Sequence, residues 1–379
     1  MPYTLWGAAH SLYSGKMRSY LIKKGLPYQE RYPSDPDFGA RILPVVGHFV
    51  VPVVETPAGD ILQDSGDIIE YLEGRHAAPV LDPVTPVQRL VSTLFDGVGS
   101  EYFMPLAMHY RWTYRADQEG FLQAEFGRAA IAGQSRADRR EMAGNLMNFF
   151  ASFLPNLGVF PETAPALETA YMDWLDALDE HFQHHPYLLG GRPCRGDFGM
   201  MASFYAHLGR DPVPADLMKK KAPNLYRWTE RMNLAVIEDG EYPGYGTDYM
   251  ADDAIPETLE AVLKLVFRDW TPGLAADIAI FNAWAKDHQS GDVVSEDGER
   301  RVHPSLGQVS YPFHGVDMKR GSAPHAVWMF AAAQAQAKAM SAEASARFNA
   351  LLERTGGRQM FSLTIDKAMA RANNVLVLA

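Results

Sequence analysis

Cysteine is almost absent from this chain of 379 residues, and Cys194 is the only one. A single cysteine cannot form an intramolecular disulfide or supply a metal cluster built from cysteines alone. The chain also has no Cys-x-x-Cys pair for dithiol exchange. A protein that needs no cross-link is typical of a reducing compartment, so we expect a cytoplasmic location.

Positive charge and long apolar runs are also scarce. The formal net charge is −11, which argues against nucleic acid as a partner, because proteins that bind phosphate backbones need clustered positive charge. No run approaches the roughly 20 apolar residues that a membrane helix needs. The first residues lack the basic and then apolar pattern of a secretory signal. We therefore expect a soluble protein that is not exported and has no membrane partner.

The length and apolar content allow two or three hydrophobic cores. Residues 74–86 interrupt the helical periodicity with three prolines and indicate a domain boundary. We predict a first domain over residues 1–75, an all-helical domain over 87–245, and a mostly helical extension over 250–379. The extension is either a separate domain or an elaboration of the second one.

The first domain is predicted to be of mixed α/β type. Strands are expected at Tyr3–Trp6 and at residues 27–32, with a helix over residues 15–24 between them. A second pair of strands, with a turn at residues 56–60, leads to a helix over residues 64–73.

The segment from Val50 to Leu72 carries the most chemical information. Because proline cannot donate to a sheet ladder, Pro52 is expected at the first residue of a strand or on an edge. If the Val51-Pro52 bond is cis, the backbone N–H and C=O of Val51 can turn toward a ligand. Asp64 and Ser65 can cap the next helix, whose free N–H groups and positive end favour a carboxylate. This pattern predicts a site that binds both ends of a small peptide.

The Val-Pro step, the acid-Ser pair before a helix and the Ile-Ile-x-Tyr-Leu run at 68–72 resemble the glutathione-binding half of the glutathione transferase family. The resemblance implies a thioredoxin-like domain that binds glutathione, with a domain that keeps the fold without the ligand as the alternative. The residues that it assigns to the tripeptide are Val51 and Pro52 for the cysteinyl backbone and Asp64 and Ser65 for the γ-glutamyl end, and Gln63 is also expected to bind glutathione. Arg41 and His48 are the groups available for the glycyl carboxylate, with a solvated surface charge and a structural histidine as the respective alternatives.

The loop after the first strand supplies hydroxyl groups for the glutathione sulfur. Residues 10–18 resemble the start of the serine-type transferases, which places Ser11 at the sulfur, with Ser14 and Tyr13 as alternatives after a small shift of the loop. Lowering a thiol pKa by about two pH units requires roughly 2.7 kcal/mol, and one charge-assisted hydrogen bond supplies roughly 1.5–3 kcal/mol. Serine cannot form a mixed disulfide, so addition, substitution or isomerisation is favoured over disulfide reduction. A hydroxyl that only caps the helix is the structural alternative.

Two further segments resemble the same family, so that the resemblance covers roughly residues 1–235. A glycine turn precedes Asp197, which is expected to cap a helix, and Pro223 to Trp228 is expected to start a late helix. Cys194 stands where a hydroxyl is usual, so we expect a weakened cap and a structural thiol. In the extension, helices are predicted over 257–267, 274–288, 326–340 and 342–354, with a hairpin around Asp297-Gly298.

The resemblance places a small apolar electrophile between the two domains. Its pocket is predicted to include Tyr102, Met108, His109 and Trp112, although the same helical spacing fits a core. His184-His185 lacks carboxylate or cysteine partners at a recognisable spacing, so no metal site is predicted.

The leading hypothesis is a glutathione transferase-like enzyme that uses glutathione as co-substrate and activates its thiolate for attack on the electrophile. The resemblance also implies a homodimer and a role in detoxification. The alternatives are a noncatalytic glutathione-binding or scaffold protein, and a glutathione-dependent lyase or ether-cleaving enzyme of the same fold.

Overall fold

The computed structural model describes residues 2–130 and 135–379. Its first part is a thioredoxin-like domain with a four-stranded sheet in the order β2-β1-β3-β4. Strands β1 and β2 are parallel, and the other two pairs are antiparallel. The elements are β1 (Tyr3–Trp6), α1 (Leu12–Lys23), β2 (Tyr28–Arg31), a π-helical turn (Phe38–Ile42), α2 (Leu43–Val46), β3 (Val53–Glu55), β4 (Ile61–Gln63) and α3 (Ser65–Glu73).

Apolar residues cover both faces of this sheet, because successive side chains of a strand point to opposite faces. Leu5 and Val54 belong to the main core, together with Ile68 from α3. Trp6 and Val53 pack on the other side in a separate cluster. The four residues of β1 are all buried, as expected for an interior strand.

The second part is helical, as predicted. Its elements are α4 (Pro86–Gly97), a π-helical turn (Val98–Tyr102), α5 (Met104–Thr113), α6 (Arg115–Ala130), α7 (Arg136–Ala151), a 3₁₀ turn (Pro155–Leu157), α8 (Ala164–His184), α9 (Arg195–Ala206), α10 (Pro212–Lys221) and α11 (Pro223–Arg231). Helix α9 lies at the centre, where Gly99 and Gly199 let it approach α4 and the π-helical turn closely. A Cβ on Gly99 would lie 2.3 Å from the carbonyl carbon of Gly199.

The cap of α9 forms at Asp197. Its carboxylate accepts hydrogen bonds from the backbone N–H of Cys194 (2.9 Å) and Leu188 (3.1 Å) and from the indole of Trp228 (3.1 Å). Cys194 is fully buried, and burial raises the pKa of its thiol. Both features agree with a structural cysteine.

The extension contains the predicted helices and two hairpins. A short 3₁₀ turn (Ala251–Asp253) precedes it. The elements are α12 (Glu257–Asp269), α13 (Thr271–Ala285), β5 (Gln308–Phe313), β6 (Val316–Gly321), α14 (Pro324–Lys338), α15 (Ala342–Thr355), α16 (Arg358–Phe361), β7 (Met369–Ala372) and β8 (Val375–Leu378).

The prediction of a hairpin around Asp297-Gly298 is wrong. Asp297 accepts a hydrogen bond from the backbone N–H of Glu299 and pairs with Arg301, so this segment closes as a local turn. Val293 instead forms an isolated bridge to Val377 of β8.

One continuous core joins the extension to the other two parts. Phe330 of α14 and Leu376 of β8 belong to the same buried cluster as Leu5 and Leu94. Among the described residues, no helix is both long and apolar enough to cross a membrane.

Candidate functional site

A cavity of about 690 Å³ lies where the first domain, α4 and the extension meet. Its size is within the range of sites for small ligands. The residues that line it include Tyr13, Val51, Pro52, Gln63, Asp64, Ser65, Asp67, Asp96, Glu101, Arg195, His303, His325, Trp328, Met329 and Arg371.

The chain before β3 forms one edge of the cavity. The Val51-Pro52 peptide is cis, and both residues line the cavity. The sheet register begins only at Val53, so the backbone of Val51 lies outside the ladder. Its N–H and C=O therefore take no part in the pairing of β3 with β1.

The N-terminus of α3 forms the adjacent wall. Asp64 caps this helix, with its carboxylate accepting from the backbone N–H of Gly66 at 2.9 Å. Its φ of 77° lies in the left-handed region, a conformation that costs a non-glycine residue roughly 1–3 kcal/mol and occurs often at ligand sites. Ser65, the first residue of the helix, is 8% exposed. The strand edge and the helix N-terminus thus face one cavity.

A cation from the extension reaches the same wall. Arg371 of β7 donates to Asp64 Oδ2 (3.3 Å), pairs through Nε with Asp67 Oδ2 (3.1 Å) and contacts Gln63 Oε1. Burial raises the pKa of Asp67 to about 6, assisted by the neighbouring Asp64, while Arg371 acts in the opposite direction. This corner of the cavity therefore carries charges of both signs.

The three hydroxyls of the first loop have different surroundings. The Ser11 side chain caps α1 by accepting from the backbone N–H of Ser14 at 3.4 Å, and Ser11 is not among the lining residues. Ser14 is fully buried and accepts from the N–H of Ala8 at 3.3 Å. Tyr13 lines the cavity, and its hydroxyl donates to the carbonyl of Ser100 at 2.9 Å.

Glu101 lies beside Tyr13 in the π-helical turn after α4. Burial, with repulsion from Asp64 and Asp277, raises the pKa of its carboxyl to about 8. The acid is therefore mostly protonated at neutral pH and can donate a hydrogen bond into the cavity. π-Helical turns occur frequently at functional sites.

Asp96 is the other buried acid of this wall. It pairs with Lys16 (2.5 Å) and Arg195 (2.8 Å). Burial alone would raise the pKa of Asp96, but the two cations lower it below its ordinary value. These ion pairs tie α1, α4 and α9 together beside the cavity.

Family models match both of the first two parts of the chain. The model of the glutathione S-transferase N-terminal domain matches residues 5–80, and the model of the C-terminal domain matches residues 146–234. The chain belongs to the glutathione S-transferase family.

Two solved structures of glutathione S-transferases and one of a beta-etherase resemble this chain. One from Methylobacterium radiotolerans, in complex with glutathione sulfonate, is 21% identical, with 68% of this chain and 99% of that chain covered and a TM-score of 0.35. The theta class enzyme from Xanthomonas axonopodis pv. citri, with glutathione bound, is 22% identical, with 61% and 92% covered and a TM-score of 0.35. The beta-etherase LigF from Sphingobium sp. strain SYK-6 is 20% identical, with 62% and 95% covered and a TM-score of 0.44. No curated protein sequence matches the chain.

The two groups expected at the glycyl carboxylate of glutathione have partners elsewhere in this family member. Arg41 forms a two-point ion pair with Glu55 at 2.9 and 3.1 Å. The Nε2 atom of His48 lies 3.3 Å from the carbonyl of Asn374 in the turn between β7 and β8. Neither residue lines the cavity.

The side chains expected around the electrophile pack in the interior of the helical domain instead of lining the cavity. Tyr102 donates to Asp269 at 3.3 Å, and the buried His109 pairs with Glu168 at 3.0 Å. Met108 and Trp112 belong to a core cluster beneath α6 and α7. Their helical spacing fits a core as well as a pocket, and in this structure the side chains face neighbouring helices.

The extension supplies cavity residues that sequence reasoning missed, including His303, His325, Trp328 and Arg371. Burial lowers the pKa of His325 to about 3, so this imidazole is neutral at physiological pH. None of these residues stands in a recognisable motif. No group of three or more His, Cys, Asp or Glu in the described ranges could hold a metal ion.

Proposed function

We propose that this protein binds glutathione in the cavity and activates its thiol for transfer to a small apolar electrophile. The observation that carries the proposal is the common cavity shared by the Val51 edge and the N-terminus of α3. The γ-glutamyl end would lie at Gln63, Asp64 and Ser65, and the cysteinyl backbone would pair with Val51 beside Pro52. Main-chain pairing of this kind is how an extended peptide adds to a sheet edge.

The sulfur would then lie near Tyr13, the hydroxyl that lines the cavity. A hydrogen bond from the Tyr13 hydroxyl, in place of its bond to Ser100, would favour the thiolate over the thiol. Burial, together with the acids Glu101 and Asp64, raises the pKa of Tyr13 well above its ordinary value, so the phenol keeps its proton. Ser11 is the second candidate, and it would have to leave its capping bond.

The electrophile would contact α14 of the extension. Trp328 and Met329 supply an aromatic and a polarisable apolar surface there, and Ala331 and Ala332 leave room beside them. Such a surface suits a small apolar molecule, because burial of apolar area contributes roughly 25 cal/mol per Å².

Cleavage of an ether by glutathione is a second candidate, favoured by the protonated carboxyl of Glu101. In this reaction the thiolate would attack the carbon that bears the ether oxygen and form a C–S bond. The C–O bond would break, and the leaving oxygen would take the proton of Glu101 as a general acid. The products would be a glutathione thioether and an alcohol or phenol.

We also propose a cytoplasmic homodimer with a role in detoxification. The single buried thiol is compatible with a reducing compartment. Phe49 and Val45 are 64% and 57% exposed on the first domain and would supply apolar area for a symmetric interface. Sedimentation equilibrium of the full chain would measure the stoichiometry, and a monomer at all concentrations would remove the dimer.

The test is titration calorimetry with glutathione, followed by a conjugation assay with an activated aryl halide and an aryl ether. We expect Tyr13→Phe to lower kcat by roughly 10²-fold, the usual cost of a lost donor to a developing anion, with little change in the Kd for glutathione. Ser11→Ala is the matched hydroxyl deletion and should leave kcat nearly unchanged. The reverse pattern would assign the sulfur to Ser11, and a wild-type protein that binds no glutathione would refute the proposal.

A further inference from the structure

Arg371 lies at the part of the cavity that would receive the γ-glutamyl end of glutathione. It is separated from Asp64 by 307 positions in the chain, and its side chain is 10% exposed. Asp64, Asp67 and Gln63 each contact a different guanidinium nitrogen. The extension therefore places a fixed positive charge at the N-terminus of α3.

The guanidinium group retains donors for a ligand. Arginine has five N–H bonds, and these three contacts use one on each nitrogen. The two N–H bonds left over belong to the terminal nitrogens of a side chain that lines the cavity. Such a pair is suited to a carboxylate, because the planar fork of arginine binds both oxygens at once.

The hairpin that carries Arg371 is firmly docked. Asn373 and Asn374 both have positive φ, 50° and 64°, as in a tight type I′ turn. The Asn374 side chain donates to the carbonyl of Val46 at 3.2 Å, and all four residues of β8 are buried. The Arg371 guanidinium also lies 5.9 Å from the centre of the Trp328 ring. A side chain that is already ordered loses little entropy when a ligand binds.

The charges in this corner match an amino-acid zwitterion. The γ-glutamyl end of glutathione carries one ammonium and one carboxylate on the same carbon. Asp64 and Asp67 offer two carboxylates for the ammonium, while Arg371 and the N-terminus of α3 at Ser65 offer donors for the carboxylate.

We propose that Arg371 binds the α-carboxylate of the γ-glutamyl residue, so that the C-terminal hairpin completes the glutathione site. This inference rests on the proposed function. In the alternative arrangement, Arg371 occupies the place of the ligand ammonium and competes with glutathione. Removal of Arg371 should weaken glutathione binding under the proposal and tighten it under the alternative.

The test is titration calorimetry on the full chain with three tripeptides. These are glutathione, glutaryl-Cys-Gly, which keeps the carboxylate but lacks the ammonium, and 4-aminobutyryl-Cys-Gly, which keeps the ammonium but lacks the carboxylate. We expect Arg371→Ala to weaken glutathione and glutaryl-Cys-Gly by roughly tenfold or more, as for a lost charge-assisted hydrogen bond. The affinity for 4-aminobutyryl-Cys-Gly should change by less than about threefold, since it has no carboxylate for the fork.

Arg300→Ala is the matched control. Arg300 contacts the carbonyl of Asn373 on the same hairpin but does not line the cavity, so its loss removes an equal charge and a hairpin contact without touching the ligand. We expect wild-type affinity for all three tripeptides. Arg371→Lys keeps the charge without the fork and should recover only part of the loss.

The outcomes distinguish the role of Arg371 from the proposed binding of glutathione itself. Glutathione binding by the wild type with equal or tighter binding by Arg371→Ala would overturn the role of Arg371 and leave the proposed function intact. An equal loss for all three tripeptides, or a similar loss in Arg300→Ala, would also overturn it, because the hairpin would then act by its docking alone. A wild type that binds none of the tripeptides would remove both proposals.

Discussion

The pH dependence of stability should report the protonated state of Glu101. The folded protein raises the pKa of this carboxyl to about 8 from its ordinary value of 4.5, through burial and the nearby Asp64 and Asp277. Between these two pH values the folded state holds a proton that the unfolded state has lost. The free energy of unfolding therefore falls as the pH rises through this window, and the loss is complete above the folded-state pKa.

The size of this loss follows from the same two values. Each pH unit within the window changes the free energy of unfolding by about 1.36 kcal/mol, so the contribution of Glu101 between about pH 5 and pH 8 is roughly 4 kcal/mol. Glutamine resembles the protonated acid in shape and charge. The stability of Glu101→Gln relative to the wild type should therefore increase with pH by that amount.

Urea denaturation, followed by tryptophan fluorescence, would measure both proteins across this range. The matched control is Glu55→Gln, because hydrogen bonds from Arg41 lower the pKa of Glu55 below its ordinary value. Glu55 is ionised in both folded and unfolded states over the whole range, so its substitution should cost the same at every pH. A Glu101→Gln difference that is equally flat would refute the raised pKa and, with it, the proton donor of the ether-cleaving reaction.

Three further predictions concern the helical domain. Arg111→Met should lower the free energy of unfolding, measured by urea denaturation, by roughly 3–5 kcal/mol, because the buried carboxylate of Asp211 loses its two-point partner. A loss below about 1 kcal/mol would contradict a buried ion pair at this position. Gly99→Ala should lower the free energy of unfolding by roughly 1–3 kcal/mol or more, since its Cβ would meet the backbone of α9. Gly120→Ala has open space around it and should be neutral or stabilising. Equal effects of the two substitutions would argue against the close approach of α9. Cys194 should not react with an aromatic disulfide reagent until denaturant is added, because its thiol is buried with a raised pKa, and rapid reaction of the native protein would contradict that burial.

The thioredoxin-like domain was predictable because its signals are local. The strand entered through Pro52, the turn and the cap at Asp64 follow one another within a short stretch, and each has its own steric or hydrogen-bonding cause. Their placement in one corner follows from the β-hairpin and the helix that leaves it. The helices of the extension were predictable for the same reason, since apolar periodicity is a property of neighbouring residues.

The walls supplied by the extension were not predictable in this way. Arg371 meets Gln63 and Asp64 across more than three hundred positions, and nothing in its neighbourhood in the sequence marks it as a residue of the cavity. One local signal was present, because Asn373-Asn374 between two short apolar stretches is a type I′ turn sequence. That signal predicts a hairpin but not the surface on which the hairpin docks.

The docked hairpin changes the energetics of the cavity as well as its shape. Water is partly excluded from the N-terminus of α3, so charges there interact more strongly than they would in bulk solvent. The pKa of Asp67 is already raised to about 6, by burial first and by Asp64 second, against the opposing effect of Arg371. Loss of Arg371 would therefore raise the pKa of Asp67 further. One side chain of the extension therefore favours the ionised form of Asp67, and the proposal adds a direct contact between that side chain and the carboxylate of the ligand.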